Sequence, residues 1–475
     1  MNTFMRLPRR LTIAIAIASV LGGCAVGPVY ERPAVPVPAQ FKEAPGWVPA
    51  SPADGSERGE WWAVFDDPVL NELQTAVNVS NQNIALAAAA YDQARAIVRE
   101  QRSALFPSVV LDGGAARSAR SATGTTVAAG VRTSNNYQVS IGGSWEPDVW
   151  GRLRTAVNNA SASAQASAAD LASARLAAQG ELAANYFALR LTDLQAGLLR
   201  DSIAGYQRVL QITRNRYEAG IAPKTDVLQA ETQLANAQAD EAGLARQRAQ
   251  LEHAIAVLMG KLPAEFALAP TPWKNFVPEV PAIVPSTLLQ RRPDIAAAER
   301  RVAAANEDIG IARSGYFPSL GLNASYGSAA GTVANLFNAS STLWSLGLSA
   351  AQAIFDAGAT GARVDSARAA HVQATARYRQ TVLTAFQDVE DQLSASQVLA
   401  RQVALRQQAS RAADEAEAQM LNRYRAGQVG YTEVVNAQVT ALNARRALAQ
   451  AQADRQTAAV ALIQALGGGW GAAQL

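Results

Sequence analysis

Proline is nearly absent from two very long stretches of this 475-residue chain, and that limits what the chain can fold into. Between Gly151 and Gly260 the sole proline is Pro223, and between Ala357 and Gly467 there is none. Proline breaks a helix because it lacks the backbone N–H and its ring collides with the preceding turn. Alanine makes up about a fifth of the chain, and both stretches are rich in Ala, Leu, Gln, Arg and Glu, all strong helix formers. They read as very long helices, each interrupted once, at Arg216-Tyr217-Glu218-Ala219-Gly220 and at Arg423-Tyr424-Arg425-Ala426-Gly427. The two interruptions align at an offset of 207 residues, which also pairs Thr225 with Thr432, Asp226 with Glu433, Ala230 with Ala437 and Gly260 with Gly467. Upstream, Phe106-Pro107-Ser108 pairs with Phe317-Pro318-Ser319 at an offset of 211. The chain reads as a tandem duplication whose halves share one topology.

The 65 residues from Arg152 to Arg216 would rise roughly 97 Å as one helix, at about 1.5 Å per residue, more than a compact core of this size can hold. Val382, Phe386, Val389 and Leu393 step by four, three and four, and Ala400 and Val403 keep the phase. That 3.5-residue spacing is the seam of helices packed side by side.

Before each long helix lie two segments with period-two alternation. Tyr137, Val139, Ile141, Gly143 and Trp145 alternate with small or polar residues. So do Leu320, Leu322, Ala324 and Tyr326, and so do Trp344, Leu346, Leu348 and Ala350. A fourth, less regular segment covers Pro107–Arg117. Segments of about ten residues with one apolar and one small-polar face suit a membrane β-barrel, with aromatic residues near the interfaces. An ordinary antiparallel sheet packed on a core shows the same alternation. Ser118–Asn136 and Ala329–Ser341, rich in Ser, Thr, Gly and Ala, read as exposed loops. Four strands cannot enclose a lumen, and an open edge facing lipid is not viable, so a barrel needs several chains. Two copies would supply eight strands and three would supply twelve.

Residues 1–23 read as a signal peptide, with Arg6, Arg9 and Arg10 before an apolar run too short to span a bilayer. The run ends Leu21-Gly22-Gly23-Cys24, and Cys24 is the chain's one cysteine. This resembles the bacterial lipobox, which implies cleavage before Cys24 and lipidation of it. Ala25 rather than Asp follows, which in that resemblance implies export to the outer membrane. Seven prolines between Pro28 and Pro52 favour an extended tether. Without the first three arginines, bases and acids balance at 39 each, which removes the charge argument for nucleic acid.

Little supports an enzyme or a metal site. One cysteine excludes a disulfide within the chain, and His253 and His371 lie in separate helical stretches without nearby ligands. Gly467-Gly468-Gly469 lacks the strand-to-helix context of a phosphate loop. Glu146 and Asp148 flank Pro147 where a strand meets a helix and read as rim charges, not a catalytic pair. No catalytic residue, metal or cofactor is expected.

These features together resemble the outer-membrane factor family, the TolC-like efflux ducts, and most of all the lipidated OprM/NodT branch. The resemblance rests on Leu21–Cys24, Trp61-Trp62, Phe106-Pro107-Ser108, the run from Trp145 to Arg152, Arg291-Arg292-Pro293-Asp294-Ile295, Phe317-Pro318-Ser319 and the two Arg-Tyr turns, and it covers essentially the whole mature chain. It implies an α plus transmembrane-β fold: a homotrimer with a twelve-stranded barrel, four strands per chain, continued by a long periplasmic α-helical barrel. It implies a passive exit channel, lipid-anchored in the Gram-negative outer membrane. Its implied partners are a periplasmic adaptor, an inner-membrane RND-type transporter and outer-membrane lipids, with no nucleic acid. The turns at Gly220 and Gly427 would face the adaptor. Thr432, Glu433 and Asn436 fall where relatives constrict the pore, although Asn436 replaces an aspartate. Tyr424, Asp226 and Thr225 match positions that close neighbouring helix pairs. Val429 stands where some relatives place an arginine of that lock, with Arg423 and Arg425 as nearby replacements.

The expected organisation is a signal peptide at 1–23, a lipidated tether at 24–60, a first repeat at 61–262, a Pro-rich connector at 263–285 and a second repeat at 286–475. Each repeat comprises a helix, two strands and a long helical hairpin. The competing reading is a lipid-anchored periplasmic coiled-coil scaffold without a pore, which has no need of lipid-facing strands.

Overall fold

The computed structural model describes residues 26–35, 41–43, 59–121, 131–278 and 292–468. The signal segment 1–23, Cys24, much of the tether, part of the connector and Gly469 lie outside the described residues.

A short 3-10 turn, Trp61–Phe65, leads into α1 (Pro68–Ser80) and α2 (Gln82–Ser103). A hairpin of β1 (Ser108–Ser121) and β2 (Val131–Trp145) follows, then α3 (Arg152–Glu218) and α4 (Lys224–Leu258). The later half supplies α5 (Pro293–Ser314), β3 (Ser319–Ala330), β4 (Thr342–Ala351), α6 (Ala359–Arg425) and α7 (Tyr431–Ala465). The long helices the proline map predicts are α3 and α6, of 67 residues each, and their partners α4 and α7 have 35 each.

Two differences from the sequence reading have plain causes. One helix is expected before the first pair of strands, and two are found. Asn81 separates them: its Oδ1 accepts from the amides of Asn83 and Ile84, while its Nδ2 donates to the Leu258 carbonyl at 2.7 Å. An asparagine that caps one helix competes with continuing the previous one. The first hairpin also reaches further than expected. Ser118 pairs with Ser134 and their hydroxyls meet at 3.0 Å, so both ends of the expected loop 118–136 are strand. Cross-strand serine pairs stabilise a ladder that hydrophobic alternation does not reveal. Ala329 and Ala330 likewise belong to β3, paired with Gln138 and Tyr137.

The chain divides into two compact units. Of the described residues, one gathers 26–34, 91–121, 131–167 and 298–378, and the other 35, 41–43, 59–90, 168–278, 292–297 and 379–468. The first contains the sheet, antiparallel throughout in the order β1-β2-β3-β4. Its register lines up Leu111, Ile141, Tyr326 and Trp344 in one row, and Val109, Gly143, Ala324 and Leu346 in another. Because alternate residues share a face, these rows make one side apolar. The opposite side carries rows such as Ser108, Ser144, Asn323 and Gly347. The apolar side is bare: Leu346 is 74% exposed and Trp344 76%. Among the described residues, β1 and β4 each leave a backbone edge unpaired.

The second unit has a conventional core. Trp61, Trp62, Phe65 and Leu70 pack with Leu182, Tyr186, Phe187, Ile255 and Ile463. Each such side chain contributes about 1.5–3 kcal/mol on burial. In the predicted seam of α6, Val382, Val389 and Leu393 are buried. Ala385 takes the place of Phe386, whose ring instead packs on Phe41 of the tether with centroids 5.6 Å apart. The Glu390 carboxylate accepts both the Lys42 and Glu43 amides, at 2.8 and 3.1 Å. Tether residues are therefore held against α6. The described part of the connector is also pinned: Gln456 accepts from Trp273 Nε1 at 2.8 Å and donates to the carbonyls of Lys274 and Phe276.

Candidate functional site

The two helix turns are built alike. In the first, the Gly220 amide donates to the Tyr217 carbonyl at 2.9 Å and the Ile221 amide to the Arg216 carbonyl at 2.8 Å. In the second, Gly427 donates to Tyr424 at 2.9 Å and Gln428 to Arg423 at 2.9 Å. Gly220 and Gly427 both sit at φ 72°. Paired bonds of this kind satisfy the last helix carbonyls and require a left-handed residue, which glycine supplies without steric cost.

Below the turns Val209, Leu210, Val227, Ala230, Tyr424, Tyr431 and Val434 form a buried cluster, with Val429 half-buried against it. Tyr424 and Tyr431 pack with ring centroids 5.7 Å apart. The Tyr424 hydroxyl meets Thr213 Oγ1 at 3.2 Å. The Arg216 guanidinium lies 4.7 Å from the centre of the Tyr424 ring, and its Nη1 donates to the Tyr424 carbonyl at 2.9 Å. A cation over an aromatic face contributes about 0.5–1 kcal/mol at an exposed site. The Tyr431 hydroxyl is buried without a hydrogen-bond partner among the described residues. Burial, followed by the nearby Tyr424, Tyr206 and Asp226, pushes its pKa up to about 12.

The residues expected to constrict a pore lie in the first two turns of α7. Thr432, Glu433 and Asn436 are all exposed. Thr432 donates weakly to Gln229 of α4, at 3.4 Å. Glu433 stands in the first turn, where the helix dipole favours a carboxylate. The expected closing residues are not brought together in this chain. Asp226 is half-buried and Thr225 exposed at the start of α4, whereas Tyr424 engages Thr213 and Arg216. Neither partner stands out in a sequence read for carboxylates, although Arg216 belongs to the repeated Arg-Tyr pair. Arg423 and Arg425 are exposed.

Ion pairs tie the helices behind the turns. Arg445 of α7 donates to Asp414 and Glu417 of α6 at 2.8 Å each. Arg446 faces Asp240 of α4 at 3.6 Å, and Arg214 of α3 pairs with Glu231 of α4 at 2.6 Å. The carboxylates of the strand–helix junction have structural partners. Arg152 holds Glu146 with two bonds, of 2.7 and 3.2 Å. Asp148 accepts the Leu153 and Arg154 amides at 2.9 Å each, capping α3. Among the described residues no group of metal-ligating side chains occurs, and no helix is long and apolar enough to cross a membrane.

Comparison with known proteins bears directly on these features. Residues 75–261 and 284–468 match the family described as outer membrane efflux protein. The probable efflux pump outer membrane protein TtgC of Pseudomonas putida is 32% identical over 464 residues, covering 97% of this chain and 95% of that protein. The outer membrane protein OprJ of Pseudomonas aeruginosa is 30% identical over 471 residues, covering 98% of this chain and 97% of OprJ. Among solved structures, the outer-membrane channel OprN superposes with a TM-score of 0.83 at 29% identity, covering 94% of this chain and all of OprN. The open MtrE outer membrane channel of Neisseria gonorrhoeae gives 0.79, also at 29% identity, covering 94% of this chain and 98% of MtrE. The chain belongs to the outer membrane efflux protein family.

Proposed function

We propose that this protein is the passive exit duct of a tripartite efflux system, carrying small molecules across the Gram-negative outer membrane. The observation that carries the reading is the four-stranded sheet with one bare apolar face, one small-polar face and two unpaired edges. Such a sheet is stable only where lipid covers the apolar face and further strands pair the edges. Three copies would close twelve strands around a lumen, and their helices would continue it as a periplasmic α-helical barrel. The equal lengths of α3 and α6, and of α4 and α7, support the two-fold repeat on which such a ring would be built.

In this reading Cys24 carries the lipid anchor, and residues 61–262 and 286–475 are the two repeats. The turns at Gly220 and Gly427 face a periplasmic adaptor, which links the duct to an inner-membrane RND-type pump. Thr432, Glu433 and Asn436 form the constriction, with Tyr424, Thr225 and Asp226 beside it. Three Glu433 carboxylates near one axis would repel one another and favour cations. The reading assigns no catalysis and needs no cofactor. The bare apolar sheet face weighs against a scaffold without a pore.

Electron microscopy of the purified lipidated protein in detergent tests the assembly. The duct predicts a hollow particle of three-fold symmetry, whereas a solid or single-chain particle would exclude it.

A further inference from the structure

The two turns share the sequence Asn-Arg-Tyr-x-Ala-Gly, at 215–220 and 422–427, and the same hydrogen bonds and glycine φ. Their side chains meet different fates. Arg216 of the first turn covers Tyr424 of the second, which is 2% exposed. The counterpart aromatic, Tyr217, is 44% exposed, and the counterpart cation, the exposed Arg423 guanidinium, makes no hydrogen bond or ion pair among the described residues. One ring-and-cation pair is made within the chain, and the equivalent halves of a second pair are left bare.

In a closed ring of alternating first and second hairpins, each hairpin faces the next in the same sense. If the first hairpin's arginine meets the second hairpin's tyrosine, the second hairpin's arginine meets the tyrosine of the next first hairpin, which belongs to another copy. We propose that Arg423 of one copy lies over the Tyr217 ring of a second copy, closing the seam between chains as Arg216 and Tyr424 close the seam within one. The proposal rests on the ring assembly argued above.

The positions around this second seam say what kind of contact it is. Inside the chain the arginine–tyrosine pair sits on Leu210 and Tyr431, and Thr213 bonds the Tyr424 hydroxyl. The positions 207 residues away are Glu417, Lys224 and Met420. A buried leucine is replaced by Glu417, which already accepts from Arg445 of its own chain at 2.8 Å, and a buried tyrosine by the exposed Lys224, so this seam lacks the apolar floor of its counterpart. The hydroxyl acceptor is replaced by a thioether. The seam between copies is therefore polar, salt-sensitive and weaker than the seam within the chain, and it is the joint that parts first when the turns separate.

Co-expression of two differently tagged full-length copies, one carrying Tyr217→Cys and the other Arg423→Cys, tests this. A short bis-maleimide is applied to outer membranes, with either variant paired with wild type as controls. The contact predicts a cross-linked species bearing both tags as the main reacted product, lost in both controls. The same preparations are weighed in detergent by native mass spectrometry. A trimer without the doubly tagged product would overturn the contact while leaving the ring intact. A monomer would overturn the ring and the contact with it. In single-channel recordings, Arg423→Ala is expected to raise the open fraction several-fold at low salt and much less at high salt, where the contact is already screened, whereas Arg216→Ala raises it by a similar factor at both. An equal salt response of the two variants would remove the distinction between the seams.

Discussion

The turns after α3 and α6 have one backbone and two environments. Each ends its helix on a glycine at φ 72° with the same pair of carbonyl bonds. Tyr424 is nonetheless sealed under Arg216 and against Tyr431, while Tyr217 stands exposed. Local sequence fixes the turn because glycine and the helix-end carbonyls act within six residues. It does not fix what covers the tyrosine, because that is supplied by the neighbouring hairpin. The comparison teaches that this chain is half of its own environment: positions equivalent by repeat are satisfied on one side and waiting on the other, as the edges of β1 and β4 also are.

The sharpest way to break the comparison is to remove each tyrosine. Tyr424→Ala empties a packed site and is expected to cost about 3–5 kcal/mol locally, as large-to-small aromatic substitutions do. Tyr217→Ala in the dissociated chain is expected to cost about 0.5 kcal/mol or less, as exposed substitutions do. Hydrogen exchange of the last turns of α3 and α6 measures both. Equal effects would mean the exposure difference carries no energy.

Removing the cation comes next. Arg216→Ala loses a charge-assisted bond to the Tyr424 carbonyl as well as the ring contact, together about 1.5–3 kcal/mol. The expected result is faster exchange at α6 residues 420–425 and a larger open fraction in bilayers. Arg216→Lys, which keeps charge but loses the planar stack, should recover only part.

Glu433 sharpens the comparison further, because its repeat counterpart is Asp226, which is half-buried where Glu433 is exposed. Glu433→Gln is expected to reduce the cation-over-anion permeability ratio, read from reversal potentials in a salt gradient, with little change in stability. An unchanged ratio would take Glu433 out of the constriction.

The smallest effect concerns the orphan hydroxyl of Tyr431. Tyr431→Phe removes a buried group that has no partner among the described residues, so stability should stay level or rise by about 1 kcal/mol. The phenol's folded pKa of about 12 lies above its ordinary value of about 10. Its contribution is therefore complete below pH about 10 and is lost as pH rises through about 12. Wild-type turns should loosen across that window, and the phenylalanine variant should lose that component of the pH dependence. Thermal exchange profiles at stepped pH read the difference.

Much of the architecture was legible because it depends on local physics. Missing prolines predicted α3 and α6, the repeated Ala-Gly located both turns, and period-two alternation located β2, β3 and β4. The break at Asn81 was missed because a capping asparagine is one residue in a helix-rich run. The serine-paired end of the first hairpin was missed because polar strands resemble loops. At the site, Glu433, Thr432 and Asn436 came from family resemblance and land together on one exposed helix start. The packing partners of Tyr424 were not legible: Thr213 and Arg216 lie 211 and 208 residues away, and only folding brings them to the ring.

The most direct test of the central claim, a duct held shut at its helix turns, is single-channel recording of the purified lipidated protein in planar bilayers beside the Arg216→Ala, Tyr424→Ala double variant. The account predicts brief, small openings for wild type and sustained, cation-preferring conductance several-fold larger for the variant. A variant that inserts and assembles as wild type does but conducts no more than wild type would contradict it.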